Sequence, residues 1–336
     1  MGVVLTTSRS FSGGSLDLVA RLAEAGHTLV TGPADHDLVS LRPLLVDAVA
    51  WIAGTGEVTT AHLDAAPQLR VLARYGVGFE AVDLAAASAR GIVVTNTPGA
   101  NSDAVADHTV GLMLAVLRGT AEGDRRVRSG DWTVLRGREL GQLTVGIVGF
   151  GRIGQGVARR LGGFGTQVLA HDPWMTDDQI VTAGATPAGL EELAGCDLVS
   201  LHSPGGTRIV DDAWLTGARR GLVVVNTARP DLVDEAAVAS ALRSGVLGGF
   251  AADTLEGDTR GGDSPLFAAD LADRVVVTPH FGAQTVEAVD NMGSMAVDNV
   301  LAVLGGEAPP HPVRVPAQPG QPARPIPTAP TESTAS

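Results

Sequence analysis

The stretch that decides the fold is residues 144–154, TVGIVGFGRIG, an apolar run that ends in the pattern G-x-G-x-x-G. A helical pattern over Ile153–Gly163 and a second apolar run over Gln167–Ala170 follow it. In such a unit the first glycine permits a tight turn, the second lets the backbone approach a pyrophosphate, and the third lets the helix pack closely on the strand. Here these are Gly149, Gly151 and Gly154. The context predicts a dinucleotide-binding βαβ unit.

The same unit indicates which dinucleotide binds. The N–H groups at the start of the helix have no partners within the helix and favour phosphates. Asp172 lies eighteen residues beyond Gly154, just after the second apolar run. Its carboxylate would accept hydrogen bonds from the adenosine ribose hydroxyls and repel a 2′-phosphate. The sequence therefore predicts NAD, and not NADP, as the cofactor.

Short β-branched runs alternate with helical patterns along the rest of the chain, which predicts an α/β fold with parallel sheets. We expect two Rossmann-like or flavodoxin-like domains with the ligand cleft between them. The predicted strands are Val3–Thr6, His27–Val30, Ala48–Ala53, Val71–Arg74, Ile92–Thr95, Thr144–Gly149, Gln167–Ala170, Leu198–His202, Leu222–Asn226, Gly249–Asp253 and Val275–Thr278. The first predicted helices are Leu16–Ala25, Leu84–Arg90 and Ala104–Arg118.

This organisation predicts three segments. Residues 1–101 and 284–306 form a substrate-binding (lid) domain, because apolar residues at helical spacing from Val286 to Val303 would carry the chain back to it. Residues 102–283 form the NAD-binding Rossmann domain. Residues 307–336 contain nine of the nineteen prolines and few apolar residues, which predicts a disordered tail.

Composition excludes several classes of function. The chain has 336 residues and a formal net charge of −13, which argues against a nucleic-acid partner. All 24 basic residues are Arg, and without Lys neither a Schiff base nor a Walker A loop is possible. The single cysteine, Cys196, excludes an internal disulfide, and no residue cluster has metal-ligand spacing, so no metal is expected. With no membrane-length apolar run and no signal segment, we expect a cytoplasmic protein with no membrane partner.

Three downstream segments together resemble the motifs of the D-2-hydroxyacid dehydrogenases. Val225–Asp234 (VNTARPDLVD) resembles their arginine motif, Ala252–Asp258 (ADTLEGD) their acidic segment, and Thr278–Gly282 (TPHFG) their histidine motif. The opening Thr7–Phe11 (TSRSF) and the loop Arg74–Gly78 (RYGVG) are most similar to the phosphoglycerate-dehydrogenase-like branch. The resemblance extends over residues 3–305, and several motifs in the right order make it specific.

The resemblance implies Arg229, Asp258 and His280 as catalytic residues. A guanidinium can bind the carboxylate of a 2-oxo acid bidentately and polarise the neighbouring carbonyl. An imidazole can protonate the carbonyl oxygen as hydride arrives, or deprotonate the alcohol in reverse. A carboxylate beside the imidazole orients the ring and favours its charged form. The implied activity is that of a NAD-dependent dehydrogenase acting on CH–OH donors.

Two residues depart from the family's pattern. Asp258 stands where the family usually has Glu, so either a backbone shift brings the shorter side chain to His280 or Glu256 takes its place. Pro230 follows the arginine where the family has Gly, and proline fixes φ and removes an N–H. We keep Arg229 as the substrate anchor.

The resemblance also implies the residues that contact cofactor and substrate. Asp253 would bind the nicotinamide side of the cofactor, and His202 would shape the adenine pocket. The expected cofactor contacts are Thr109, Gly149, Gly151, Arg152, Ile153, Gly154, Asp172, Pro173, His202, Pro204, Thr207, Thr227, Ala228, Asp253 and Gly282. Arg9 and Arg74 follow predicted strands of the first domain, so they form either a second anion site for a phosphate or phosphonate or two solvated loop arginines. The expected substrate contacts are Arg9, Arg74, Tyr75, Gly76, Val77, Gly78 and Asn101.

These observations predict an enzyme that interconverts a small anionic 2-hydroxy acid, similar to 3-phosphoglycerate, and its 2-oxo acid. One alternative is a dehydrogenase of secondary metabolism that oxidises a phosphono acid or aldehyde. Another is a sensor or corepressor scaffold that binds NAD without turnover, which a retained Arg229–His280 pair disfavours. The resemblance also implies a homodimer, with Ala104–Arg118 and the segment around Trp132 at the interface.

Overall fold

The computed structural model describes residues 2–257 and 263–313. These residues belong to two compact units, the first within Met1–Asn101 and Gln284–Ser336 and the second within Ser102–Ala283. Each unit has its own sheet, and every strand pair in both sheets is parallel. The predicted fold class, two α/β domains with parallel sheets, is confirmed.

The first unit contains a five-stranded sheet. Its elements are β1 (Gly2–Thr6), α1 (Leu18–Glu24), β2 (His27–Thr31), α2 (Leu38–Leu45), β3 (Ala48–Ala53), α3 (Thr60–Asp64), β4 (Val71–Arg74), α4 (Leu84–Ala89) and β5 (Val93–Thr95). The strand order is β2-β1-β3-β4-β5. The direction of winding therefore reverses between β1 and β3, which is the position where open parallel sheets bind ligands.

The second unit contains a seven-stranded sheet. Its elements are α5 (Ser102–Arg118), α6 (Thr120–Arg128), β6 (Thr144–Val148), α7 (Arg152–Gly162), β7 (Gln167–His171), α8 (Asp177–Thr182), β8 (Thr186–Pro187), α9 (Leu190–Leu193), β9 (Leu198–Leu201), α10 (Asp212–Thr216), β10 (Leu222–Asn226), α11 (Glu235–Ser244), β11 (Leu247–Ala252) and β12 (Val275–Val277). The strand order is β12-β11-β10-β9-β6-β7-β8, so the winding reverses between β6 and β9.

The chain returns to the first unit through α12 (Val286–Leu304). Asp290 on this helix accepts hydrogen bonds from the backbone N–H groups of Ser15 and Leu16, at 3.0 and 3.1 Å. The amide of Asn299 donates to the carbonyl oxygen of Asn96 at 3.1 Å. These contacts give the helix a fixed position within the first unit.

The beginning of the predicted tail is ordered, which corrects the expectation for residues 307–313. Asn299 accepts the N–H of His311 at 3.0 Å, and Pro312 forms an antiparallel bridge with Thr95. The N–H of Val313 donates to the carbonyl oxygen of Val94 at 2.8 Å. The edge strand β5 offers unpaired backbone groups, and these three residues occupy part of that edge. Residues 314–336 lie outside the described part of the chain.

The remaining differences are shifted boundaries and elements that the pattern did not predict, among them the helices α2, α6 and α11. For example, α7 begins at Arg152 and β11 at Leu247. The pattern did not predict the two-residue strand β8 or short helices such as α9. Within the described residues, no helix is both long and apolar enough to cross a membrane.

Candidate active site

The glycine-rich turn joins the carboxyl end of β6 to α7. Gly149 has φ +87°, and a Cβ there would lie 2.6 Å from the carbonyl carbon of His202, so only glycine fits. A Cβ on Gly154 would overlap the carbonyl oxygen of Gly149. A Cβ on Gly151, the N-cap of α7, would meet nothing within 4 Å. This open space, together with the N–H groups of the first turn that begins at Arg152 and Ile153, fits a pyrophosphate.

Asp172 lies directly after β7, beside this turn. Its carboxylate accepts hydrogen bonds from the backbone N–H groups of Phe150 at 2.7 Å and Trp174 at 2.9 Å. Two backbone donors fix the carboxylate next to the glycine-rich turn and leave lone pairs that ribose hydroxyls can use. Pro173 lies between Asp172 and Trp174, whose side chain is 77% exposed. The residues present therefore fit NAD.

His202 follows β9 and contacts the glycine-rich turn through its backbone. Its Nε2 lies 2.9 Å from the hydroxyl oxygen of Ser200, and burial lowers the pKa of His202 to about 3. The ring is therefore neutral at neutral pH. Its Nδ1 is buried without a hydrogen-bond partner among the described residues, which suits a position against a ligand. Pro204 and Thr207 lie exposed in the loop that follows.

Thr109, one of the predicted cofactor contacts, lies inside the fold and supports the site from there. The residue is fully buried on α5, and its hydroxyl donates to the carbonyl oxygen of Val105 at 2.7 Å. Because that proton is used, the hydroxyl of Thr227, 2.8 Å away, must donate to Thr109. Thr109 thus orients Thr227, which precedes the buried Ala228.

Arg229 follows β10, and its backbone is fixed by a residue that the sequence analysis did not single out. The amide of Asn226 donates to the carbonyl oxygen of Arg229 at 2.8 Å and accepts the N–H of Ala228 at 3.0 Å. Pro230 is the first residue of the short 3₁₀ turn Pro230–Leu232, a position where no N–H is needed. The departure at Pro230 is therefore compatible with the local backbone. A polar residue at the end of the apolar strand LVVVN is the signal that marks Asn226.

Asp253 lies at the end of β11 and is 3% exposed. Its Oδ1 accepts hydrogen bonds from the Thr278 hydroxyl at 2.6 Å and the Phe281 N–H at 3.0 Å, and its Oδ2 accepts the Gly282 N–H at 2.8 Å. Burial alone would raise the pKa of Asp253, but these donors and His108 outweigh burial and lower it. Asp253 is therefore an anion at neutral pH.

His108 extends this network from α5. Its Nε2 lies 2.9 Å from the Thr278 hydroxyl oxygen and 3.4 Å from Asp253 Oδ1. Because the Thr278 hydroxyl donates to Asp253, His108 must carry a proton on Nε2 and donate to Thr278. His108 thus supports Asp253, a role that becomes evident only from these contacts.

His280 lies in the loop that Asp253 organises. It has φ +52°, a left-handed conformation that is uncommon outside glycine, and its N–H donates to the carbonyl oxygen of Thr278 at 2.9 Å. The next two residues are those whose N–H groups bind Asp253. A Cβ on Gly282 would lie 2.9 Å from Asp253 Oδ2, so glycine permits this close approach. Asp253 and Gly282 thus fix a turn that exposes the His280 side chain.

The predicted substrate residues of the first unit separate into exposed and internal ones. Arg9 is exposed between the half-buried Ser8 and Ser10. Arg74 is buried and donates to the carbonyl oxygens of Gly78 at 3.1 Å and Gly56 at 3.2 Å. Nε and Nη1 of Arg74 thus bind backbone carbonyls, and a contact between Arg74 and a ligand stays a prediction.

The loop that Arg74 supports is anchored at several points. The Tyr75 hydroxyl donates to the carbonyl oxygen of Val289 at 2.9 Å, and the Gly76 N–H to the hydroxyl of Thr97 at 3.1 Å. The Val77 side chain is exposed, and Gly78 accepts from Arg74. Asn101 is the last residue of this unit's first segment, and its side-chain oxygen is buried without a partner among the described residues.

The predicted residues of the second unit meet at one edge of its sheet. Each of them follows the carboxyl end of a different strand. These pairs are β6 and the glycine-rich turn, β7 and Asp172, β9 and His202, β10 and Arg229, β11 and Asp253, and β12 and His280. Asp258 lies outside the described residues. No group of His, Cys, Asp and Glu that could bind a metal occurs in the described part of the chain.

Comparisons with known proteins agree with this architecture. Residues 110–282 match the family described as D-isomer specific 2-hydroxyacid dehydrogenase, NAD binding domain. The D-3-phosphoglycerate dehydrogenase of Mycobacterium leprae (strain TN) is 38% identical over 293 residues, which cover 85% of this chain and 54% of that protein. The chain thus spans about half the length of the phosphoglycerate dehydrogenases that it matches.

A second relative and a solved structure match over most of their length. The glyoxylate reductase of Thermofilum pendens (strain DSM 2475 / Hrk 5) is 38% identical over 269 residues, 76% of this chain and 78% of that protein. The crystal structure of TT0316 protein from Thermus thermophilus has a TM-score of 0.82 and 36% identity, and the match covers 93% of this chain and 99% of that one. The chain belongs to the D-isomer specific 2-hydroxyacid dehydrogenase family. The predicted family and the predicted cofactor, NAD, are confirmed by these matches.

Proposed function

We propose that this chain interconverts a small 2-hydroxy acid and its 2-oxo acid with NAD. The observation that carries the proposal is the network around Asp253, which fixes the turn that exposes His280. Arg229 follows the neighbouring strand β10, and Asn226 fixes its backbone. The carboxyl ends of parallel strands lie at one edge of a sheet. Arg229 and His280 therefore both lie at the edge where such sheets bind ligands.

The two side chains have complementary chemistry. The Arg229 guanidinium binds the substrate carboxylate and polarises the carbonyl. The His280 imidazole donates a proton to the carbonyl oxygen during reduction and removes it from the hydroxyl during oxidation. Bound NAD supplies the acceptor or donor of the hydride. Asp253 keeps the His280 turn in place throughout because its carboxylate stays ionised.

We further propose that the substrate carries a second anionic group, a phosphate or a phosphonate. Arg9 supports this proposal, because its exposed side chain follows β1 at the position where the sheet of the first unit changes its winding. The half-buried Ser8 and Ser10 add hydroxyl donors on both sides. The named relatives include enzymes for phosphorylated and for unphosphorylated substrates, so a variant at Arg9 can test which class of substrate this chain takes.

The test is turnover of purified protein, measured through the absorbance of the reduced nicotinamide in both directions. The substrates are 3-phosphoglycerate, glycolate and glyoxylate, other 2-hydroxy and 2-oxo acids, and phosphono acids and aldehydes. His280→Asn is the diagnostic variant, because Asn tolerates a positive φ better than Ala does. His27→Asn, a matched change at the amino end of β2, is the control. Turnover that survives in His280→Asn, or NAD binding without any turnover, contradicts the proposal.

Arg9→Gln tests the second anion site separately. We expect a rise in KM of about tenfold or more for a phosphorylated or phosphono substrate, because a charge-assisted hydrogen bond is lost. KM for glyoxylate should stay unchanged. A wild-type preference for glyoxylate over every phosphorylated substrate would refute the phosphate proposal and leave the hydride-transfer proposal intact.

We propose a homodimer in the cytoplasm. Trp132 and Val134 support the dimer, because their side chains are 78% and 91% exposed in the segment that follows α6. Light scattering of Trp132→Ser alongside the wild type tests this, and a wild type that scatters as a monomer contradicts it. Cell fractionation tests the location.

A further inference from the structure

A cluster of buried polar side chains lies where β1 and β3 of the first unit end. It consists of Thr7, His36, Trp51 and His62, which we call the His36 cluster, and all four residues are buried. The ring centroids of His36 and Trp51 are 5.0 Å apart. The cluster lies at the change of winding in the order β2-β1-β3-β4-β5, the position at which this type of sheet binds ligands.

The hydrogen bonds of Thr7 determine where the protons of His36 lie. The hydroxyl oxygen of Thr7 accepts from the Trp51 indole N–H at 3.0 Å and from the Gly54 N–H at 3.2 Å. Both of these groups can only donate, so the Thr7 proton must point to His36 Nε2 at 2.7 Å. His36 Nδ1 then carries the remaining proton and donates to the carbonyl oxygen of Glu57 at 3.0 Å.

His62 supports the backbone of His36. The Nδ1 of His62 accepts the N–H of Thr59 at 3.2 Å, so its Nε2 donates to the carbonyl oxygen of His36 at 2.8 Å. This bond stabilises an unusual backbone, because His36 has φ +58°. Both imidazoles therefore have one defined neutral tautomer.

The cluster connects the loops that follow three strands. Thr7 precedes Ser8, Arg9 and Ser10 in the loop after β1, and Gly54 to Glu57 form the loop after β3. A Cβ on Gly56 would overlap the His36 ring, so loop and ring are in close contact. Arg74, at the end of β4, donates to the carbonyl oxygen of the same Gly56 and to that of Gly78. The buried side chain of His36 thus connects the loop after β1, which contains the exposed Arg9, to the loop after β3.

We propose that His36 is a positioning residue for substrate recognition, which keeps the loop of Ser8, Arg9 and Ser10 in the conformation that binds the substrate's second anionic group. This inference rests on the proposed function and adds the residue on which recognition depends. Burial lowers the pKa of His36 to about 4, so the ring keeps the neutral form that the hydrogen bonds require. A pre-organised loop binds its ligand without the entropy loss of ordering.

Single-residue variants test the proposal. Thr7→Val removes the hydroxyl and leaves the indole and the Gly54 N–H without an acceptor, whereas Thr7→Ser keeps the hydroxyl. His36→Asn removes the ring at a position where Asn tolerates the positive φ. Arg70→Gln is the control, because Arg70 binds the carbonyl oxygens of Val303 and Leu304 at the opposite end of β4. Each variant is measured for KM and kcat with the best phosphorylated or phosphono substrate of the panel, and for amide hydrogen exchange of residues 7–10 and 54–57.

We expect Thr7→Val and His36→Asn to raise the substrate KM by about tenfold, with kcat and the KM for NAD within about threefold of the wild type. Thr7→Ser and Arg70→Gln should resemble the wild type. An unchanged KM, a loss confined to kcat, or an equal effect in Arg70→Gln overturns the inference.

Hydrogen exchange separates this inference from the proposed function. If no substrate turns over, the proposed function fails, and faster exchange of residues 7–10 in Thr7→Val still supports the positioning role. Unchanged exchange in both Thr7→Val and His36→Asn overturns that role, whatever the substrate panel shows.

Discussion

Replacing Asp253 with Asn should disable catalysis without removing any group that carries a proton to substrate. The carboxylate accepts three hydrogen bonds at 2.6 to 3.0 Å, from Thr278, Phe281 and Gly282. An amide has only one acceptor oxygen, so its NH₂ group must face one of the two backbone N–H groups. That N–H then has no acceptor. A buried donor without a partner costs about 1–3 kcal/mol, and bonds to a charged acceptor lie at the upper end. We expect a loss of about 2–3 kcal/mol in the free energy of unfolding.

Asp253→Asn should also lower kcat by more than the loss of folded protein can explain. Phe281 and Gly282 directly follow His280, so a loosened turn displaces the imidazole. A misplacement on the order of 1 Å costs about 100-fold in rate. The assays are thermal unfolding and steady-state turnover, both below the unfolding range. The matched control is Asp197→Asn, a buried carboxylate at the amino end of β9 that accepts from Thr144 and Arg138 at 3.0 Å. We expect it to lose stability and keep kcat.

The pH dependence of stability gives a second readout. The pKa of Asp253 is lower in the folded protein than its usual value, so this carboxylate contributes stability at pH above that usual value, near 4. The contribution is lost as pH falls through the folded-state pKa. Asp253→Asn should therefore be less sensitive to acid than the wild type. Normal kcat in Asp253→Asn, or a kcat loss of the same size in Asp197→Asn, would refute the reasoning.

Four further predictions concern other residues. His280→Asn should lower kcat by about 10²–10⁴-fold, with little change in melting temperature because the side chain is exposed; a melting-temperature loss as large as that of Asp253→Asn would contradict this. Asp172→Ser should shift the ratio of NAD to NADP affinity toward NADP by about tenfold or more, measured by nucleotide titration, and an unchanged ratio speaks against the ribose contact. Gly149→Ala should lower the free energy of unfolding by about 3 kcal/mol, because a Cβ there is strained and overlaps the backbone. Gly151→Ala should melt at the wild-type temperature and bind NAD more weakly. Equal melting temperatures of the two variants would contradict this geometry of the turn. The Cys196 thiol should react with a thiol reagent only on unfolding, because burial raises its pKa to about 11, and rapid labelling of the folded protein would be inconsistent with that burial.

The local sequence pattern predicts much of the fold. The β6–α7–β7 unit is recognisable because glycine spacing, apolar runs and Asp172 all constrain the same short segment. Arg229, Asp253 and His280 follow predicted strands, and a parallel sheet brings such positions to one edge. The order of neighbouring strands and helices can therefore be predicted from the sequence. The predicted boundaries of α7 and β11 differ from the observed ones by one or two residues.

Side-chain direction is not accessible in the same way. Arg74 and Arg9 both follow a strand, yet Arg74 is buried against carbonyl oxygens and Arg9 is exposed. Thr109 lies on a predicted helix and is expected to contact the cofactor, but its hydroxyl donates to the carbonyl oxygen of Val105 within the fold. Spacing gives the position of a residue in an element, whereas the burial of its charge depends on neighbours that other segments contribute.

Contacts between distant residues are the least predictable. Thr7 and His36 are separated by 29 positions, and Asp253 and His108 by more. A lone histidine in a polar loop has no periodic signal, so the His36 cluster could not be predicted. The pairing of Pro312 with Thr95 was missed for the same reason, because proline content indicates disorder unless an edge strand is known to be available.

The central claim is that His280 moves a proton while NAD exchanges hydride with a 2-hydroxy or 2-oxo acid. Its most direct test is the change in reduced-nicotinamide absorbance with the substrate panel, for the wild type and for His280→Asn in parallel. The account predicts turnover of at least one acid by the wild type and a loss of about 10²–10⁴-fold in the variant, with NAD affinity retained. Equal turnover by both proteins, or NAD binding with no turnover of any acid, would contradict it.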